Sequence, residues 1–149
     1  MTGSDLVNIL IVDDDPDCRL AMREALEEGN IRNPVYEVEG GREALDFLYR
    51  RGEHADAPEA GLVFLDVEMP GMNGLEVLRA IRSDRNLDRV PVVMMTAVTD
   101  DLVKQEAARA GANSYAVKPL DAAEFMRLVI QATNYWIDIH RRPSGPAGA

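Results

Sequence analysis

Five polar residues in this chain could do chemistry together: Asp13, Asp14, Asp66, Thr96 and Lys118. The first two close the stretch ILIVDDDPD (9–17), where four aliphatic residues run straight into acids. Carboxylates crowded at one point repel one another, so three at a single site are costly unless a divalent cation neutralises them. Oxygen-only donors suit a hard ion, Mg²⁺ before Ca²⁺ or Zn²⁺. Mg²⁺ keeps water ligands and readily takes a phosphoryl oxygen in place of one. A lysine ammonium and a threonine hydroxyl would add a cation and a donor for an anionic adduct. Together these groups suit a carboxylate nucleophile that accepts a phosphoryl group.

That chemistry requires a fold that gathers residues far apart in sequence. Five short apolar runs supply candidate strands: NILIV (8–12), VYEVE (35–39), LVFLD (62–66), PVVMMT (91–96) and SYAV (114–117). Continuous apolar runs are expected of strands buried on both faces. Helix-like stretches follow at 16–28, 41–51, 74–83, 100–110 and 121–140. Asp15-Pro16 reads as an N-cap followed by proline at the first helical position. Asp100-Asp101 opens the fourth helix, and Gly111 ends it as a C′ glycine. Asp121 with Glu124 forms a pattern like a capping box. This alternation predicts an α/β fold: a doubly wound, five-stranded parallel sheet with strand order 2-1-3-4-5. Ligands bind such sheets at the carboxyl ends of the strands, near the switch point between strands 1 and 3. The five polar residues fall at four strand ends on that edge.

The 149 residues predict one domain over 1–140, with RRPSGPAGA (141–149) as a disordered tail. Hydrophobic residues at 46% and charged residues at 28% are ordinary for a soluble protein. No apolar run approaches the length of a membrane span, and the N-terminus lacks the pattern of a signal peptide. The lone Cys18 excludes an intrachain disulfide and fits a reducing, cytoplasmic setting. A net charge of −10 argues against nonspecific nucleic-acid or anionic-lipid binding, so neither nucleic acid nor membrane is expected as a partner.

VDDD (12–15), LDVEMPGMNG (65–74), MTA (95–97) and AVKP (116–119) together resemble the response-regulator receiver domain of two-component signalling. The likeness covers about residues 7–130, and the intervals of 30 residues from Asp66 to Thr96 and 22 from Thr96 to Lys118 agree with that family's spacing. The resemblance implies a flavodoxin-like (βα)5 fold with Asp66 as the phosphoacceptor and Mg²⁺ as the cofactor. Asp14 would bind the metal directly, Asp13 directly or through water, and Glu68 through its backbone carbonyl. Lys118, Thr96 and Ala97 would bind the phosphoryl oxygens. Thr96 would move to reach them, with Tyr115 as the coupled switch residue. The family also implies a cis bond before Pro119. A narrower likeness lies in the long segment GNIRNPVYEVEGGREALDFLYRRGEHADAPEAGLVFLD (29–66) and in ATNYWIDI (132–139). Both resemble response regulators of cyanobacterial and bacterial phytochrome histidine kinases, which implies such a kinase as the partner. The kinase would dock on the first helix and the strand 5–helix 5 loop, at Asp17, Cys18, Ala21 and Pro119.

Plainer roles stand beside these. Asp15 is a cap rather than a ligand. Gly71 and Gly74 in PGMNG read as turn glycines without chemistry of their own. Cys18 reads as an ordinary helix residue, and His54 and His140 as surface residues. Glu68 and Val98 occupy positions that vary in the family and tune how fast water reaches the adduct. Three functions compete. The first is a phosphorylatable regulator, with no output domain after about residue 140, which signals through dimerisation or protein partners or serves as a phosphate sink or relay. The second is an aspartyl phosphatase, against which the DVEMP context on the third strand and the lack of a cap domain argue. The third is an interaction module that is never phosphorylated, against which the intact acid, threonine and lysine set argues.

Helical spacing assigns the last helix two apolar stripes. One holds Phe125, Leu128, Val129, Ala132, Trp136 and Ile139, and the other Met126, Ile130 and Ile137. A helix on one sheet face needs only the first stripe. Its 20 residues would also overhang the short strands. These points, and the phytochrome-regulator likeness, predict a twofold homodimer on the helix 4–strand 5–helix 5 face, using Met126, Ile130, Tyr135, Trp136, Ile137 and Ile139.

Overall fold

The computed structural model describes residues 6–141, with the side chains of 139–141 excepted. The expected tail from residue 142, the first five residues and the Ile139 side chain lie outside the described residues. Five parallel strands, β1 (Ile9–Val12), β2 (Val35–Val38), β3 (Leu62–Asp66), β4 (Val92–Thr96) and β5 (Ser114–Val117), form one sheet in the order β2-β1-β3-β4-β5. The helices are α1 (Pro16–Glu28), α2 (Gly41–Tyr49), α3 (Gly74–Ser83), α4 (Asp101–Ala110) and α5 (Ala122–Arg141). The chain therefore adopts a flavodoxin-like (βα)5 fold. Expected boundaries hold within two residues. α2 stops at Tyr49, because Arg50 turns left-handed (φ 57°) as its C-cap, and a short 3-10 turn at Gly52–His54 follows.

β1, β3 and β4 are buried along their whole length, which explains their unbroken apolar sequences. Successive side chains point to opposite faces, so each strand feeds two cores. Leu10, Val63, Leu65 and Met94 pack under α2 and α3. Ile9, Ile11, Phe64 and Met95 pack under α1 and α5. Phe64 is only 1% exposed, and truncating a ring so enclosed costs about 3–5 kcal/mol.

The helix starts are set by polar caps. Asp15 accepts from the Asp17 N–H, as expected, and Asp100 accepts from Leu102 and Val103 as the cap of α4. Asn73 and Glu76 form a complete capping box on α3 that the sequence reading did not assign. The Glu124 N–H donates to Asp121 at 2.9 Å. Gly111 ends α4 at φ 100°, a conformation that favours glycine. No peptide among the described residues is cis, so the bond before Pro119 departs from the family expectation.

α5 corrects the sequence reading of its second stripe. Its innermost line is Phe125, Val129, Thr133 and Ile137, at four-residue intervals and all buried. Thr133 satisfies its hydroxyl by donating to the Val129 carbonyl at 2.6 Å. Met126 and Ile130 pack on the same core as α1, and Ile130 lies close enough to Gly29 that a Cβ there would meet it at 3.0 Å. Ile137 is therefore buried inside the chain, and Met126 and Ile130 are partly buried against the same core rather than forming a free stripe. The reason is that α5 seats between the sheet and α1 and so needs apolar contacts on two sides. Trp136 is half-buried, and its indole N–H donates to Ser114 Oγ at 3.2 Å. Tyr135 remains outward at 58% exposure, edge-on to Trp136.

Candidate functional site

The carboxyl edge of the sheet gathers the predicted residues. Asp13 and Asp14 leave the end of β1, Asp66 ends β3, Thr96 ends β4, and Lys118 follows β5. Asp13, Asp14 and Asp66 each offer a carboxylate oxygen within 4.8 Å of the others. Asp13 and Asp66 are buried, whereas Asp14 is exposed and leaves one side of the cluster open to water.

Asp13 is held firmly. One carboxylate oxygen accepts from the Asp15 N–H at 2.9 Å, and the other from Lys118 Nζ at 2.8 Å. Its backbone carbonyl accepts from the Arg19 guanidinium at 2.7 Å. Arg19 also pairs with Glu37 on β2 at 3.0 Å, and Arg23 joins them at 2.6 Å. Burial disfavours the Glu37 charge, but the two guanidiniums outweigh it and hold the carboxyl below its ordinary range. This network braces the β1–α1 turn against β2. Neither Arg19 nor Glu37 was assigned a role from sequence, because their pairing depends on the β1–β2 register.

Lys118 Nζ lies 3.3 Å from Asp66. Burial works against the lysine charge, but the hydrogen-bonded Asp13 carboxylate more than offsets it, so the ammonium is held above its ordinary range. Asp66 behaves in the opposite way. Burial pushes its carboxyl from an ordinary 3.8 up to about 6; Lys118 opposes this, while Asp13 and Asp14 add to it. One lysine thus leaves three clustered acids under-neutralised. Hard oxygen donors, an excess of negative charge and an open side fit a bound Mg²⁺. When bound, that ion would offset the acids and polarise a phosphoryl oxygen. Asp13, Asp14 and Asp66 are the side chains placed to hold it.

Three further features surround the acids. Gly74, at the start of α3, approaches the Asp66 backbone so closely that an added Cβ would collide with its carbonyl oxygen. The Gly74 N–H donates to the Val67 carbonyl at 2.9 Å. Gly74 is thus a close-approach residue that sets α3 against the Asp66 strand end, more than the turn glycine expected. Cys18 lies beside Asp13 and Lys118, and burial, with the Asp13 hydrogen bond, pushes its thiol up to about 12. It stays protonated, consistent with its reading as an unreactive helix residue. Thr96 is fully buried, and its hydroxyl donates to the Glu68 carboxylate at 2.9 Å. Ala97 follows it, exposed at the sheet edge. The Tyr115 hydroxyl is buried with no hydrogen-bond partner among the described residues, and burial, then Glu68, Asp100 and Asp101, raises its pKa.

This fold and this acid cluster define a receiver. The chain belongs to the response regulator receiver domain family, whose pattern matches residues 9–130. It is therefore a module of two-component signalling. It is 32% identical over 139 residues to the probable methanogenesis regulatory protein FilR2 of Methanothrix harundinacea, covering 93% of this chain and 88% of that one. It is 28% identical to the response regulator Rcp1 of Synechocystis sp., over 93% of each chain. The Mn²⁺-bound form of Rcp1 superposes with a TM-score of 0.83 at 26% identity, over 89% of this chain and 95% of that one. The phosphorylated cyanobacterial phytochrome response regulator RcpA superposes with a TM-score of 0.85 at 28% identity, over 90% of this chain and 96% of that one.

Proposed function

We propose that this receiver takes a phosphoryl group onto Asp66 from a histidine kinase, with Mg²⁺ held by Asp13, Asp14, Asp66 and the Glu68 backbone carbonyl. In the transfer the phosphorus–nitrogen bond of a phosphohistidine breaks, and a bond from phosphorus to an Asp66 carboxylate oxygen forms. Lys118 loses Asp66 as a full anionic partner and turns its ammonium to the phosphoryl oxygens. Thr96 and the Ala97 backbone complete the oxygen contacts. The observation that carries this reading is a buried Asp66 within 4.8 Å of two further acids and 3.3 Å from the partly buried Lys118.

A phytochrome histidine kinase is the partner that best fits. The likeness to RcpA and Rcp1 runs nearly the full length of both chains and includes the region of the long segment before β3. The docking surface is the groove between α1 and the β5–α5 loop, lined by Asp17, Cys18, Ala21, Pro119, Leu120 and Phe125. It adjoins Lys118, so a kinase helix seated there would present its phosphohistidine to Asp66. For self-association the α4–β5–α5 face still offers outward apolar side chains, Leu102, Val117 and Tyr135. The test is phosphotransfer from a purified, phosphorylated phytochrome histidine kinase to wild type and to Asp66→Asn. Label should pass to wild type within minutes and not to the variant; equal labelling of both would remove Asp66 from the reaction.

A further inference from the structure

The Thr96 hydroxyl is the group that a phosphoryl adduct on Asp66 would need, and here it is already committed. It donates to Glu68 at 2.9 Å and accepts from the Val98 N–H at 3.3 Å. Thr96 is fully buried, while Glu68, on the loop after β3, is exposed. An exposed carboxylate can thus reach in and hold a buried hydroxyl of the neighbouring strand. The same hydroxyl fixes the first turn of the β4–α4 loop through Val98. That loop leads to Asp100, the cap of α4, and to the exposed Val98 and Leu102.

We infer that Glu68 is a positioning residue for the resting state: its carboxylate holds the Thr96 hydroxyl and must be displaced before Thr96 can contact an adduct on Asp66. The inference rests on the phosphoacceptor reading of Asp66. The competition is direct, because a hydroxyl has one proton to donate. While Glu68 takes that proton, the adduct cannot. Release of Thr96 also frees the Val98 N–H, so the latch couples adduct formation to the β4–α4 loop.

Glu68 could also act on an anionic adduct by charge alone, and a double-mutant cycle separates the two effects. The readout is the calorimetric affinity for beryllofluoride in saturating Mg²⁺, a phosphoryl mimic. Glu68→Ala should tighten binding, and about fivefold of that gain should depend on the Thr96 hydroxyl, from the net worth of one hydrogen bond. Thr96→Val keeps the side-chain shape without the hydroxyl, so the fivefold share should vanish in the Thr96→Val/Glu68→Ala pair. Thr96→Ser keeps the hydroxyl and should preserve it, which guards against a variant that has merely repacked. Circular dichroism checks that each variant is folded. A gain from Glu68→Ala that is equal in the wild-type and Thr96→Val backgrounds would show charge repulsion only and overturn the latch. So would a Glu68→Ala protein that binds no tighter than a wild type that does bind. A wild type that binds no beryllofluoride would overturn both the latch and the Asp66 reading beneath it.

Discussion

Replacing Asp66 by Asn removes a negative charge from a place where the fold resists one. Burial, then Asp13 and Asp14 against the opposing Lys118, hold this carboxyl at about 6 where an unfolded chain would have 3.8. A carboxyl raised by folding favours the protonated native state. Its contribution to stability is fully present below pH 3.8 and is lost as the pH rises through about 6. The span is about two pH units at about 1.4 kcal/mol each, so the ionised site costs the metal-free fold about 3 kcal/mol. Asn has the shape of the neutral acid. Without metal, Asp66→Asn should therefore be more stable than wild type, by about 1 kcal/mol near pH 4.5 and about 3 kcal/mol near pH 7.5. Urea unfolding in excess chelator across that range measures the gap directly. Added Mg²⁺ should close it, because wild type gains binding free energy that the variant, with one ligand fewer, does not match. A variant less stable than wild type at pH 7.5, or a gap that does not change with pH, would refute the electrostatic account of the site.

Asp14→Ala should lower Mg²⁺ affinity and phosphorylation together while leaving the fold intact, since Asp14 is exposed; calorimetric titration and a labelling time course check both. In wild type, Mg²⁺ affinity should fall as the pH drops below about 6, where protons compete for Asp66; an affinity flat from about pH 7.5 to about pH 5 would contradict that. Gly74→Ala should cost about 2–4 kcal/mol, because its Cβ meets the Asp66 carbonyl, which cannot rotate away; a melting temperature within a degree of wild type would disprove the close approach. Ala21→Arg on the docking groove should slow transfer from a kinase at least tenfold yet spare labelling by a small phosphodonor; equal loss in both assays would mean damage to the site.

Elements with strong local signals were legible before the structure. β3 has the bounds that its apolar run implies, because a central strand of a parallel sheet must be apolar throughout. Asp15 caps where an acid precedes a helical pattern, because that preference is local. The convergence of Asp13, Asp14, Asp66, Thr96 and Lys118 followed from strand order alone. Contacts that depend on packing were not legible. Met126, Ile130 and Ile137 looked like a spare stripe because periodicity counts apolar faces but does not say how many neighbours a helix has. Gly74 looked like a turn glycine because a close backbone approach leaves no trace in composition. The Asn73–Glu76 box had the right spacing, but it sat in a segment read for its glycines. The Glu68 carboxylate was passed over because the family reading attends to its backbone carbonyl, whereas the side chain acts across to the next strand.

Phosphorylation at Asp66 is read directly from the intact mass of the protein after incubation with a small phosphodonor such as acetyl phosphate. Wild type with Mg²⁺ should gain a single phosphoryl group, which fragmentation places on Asp66, and should gain none in excess chelator. Asp66→Asn should gain none in either condition. A phosphoryl group on Asp66→Asn at the wild-type rate, or adduct formation unchanged by chelator, would contradict the account.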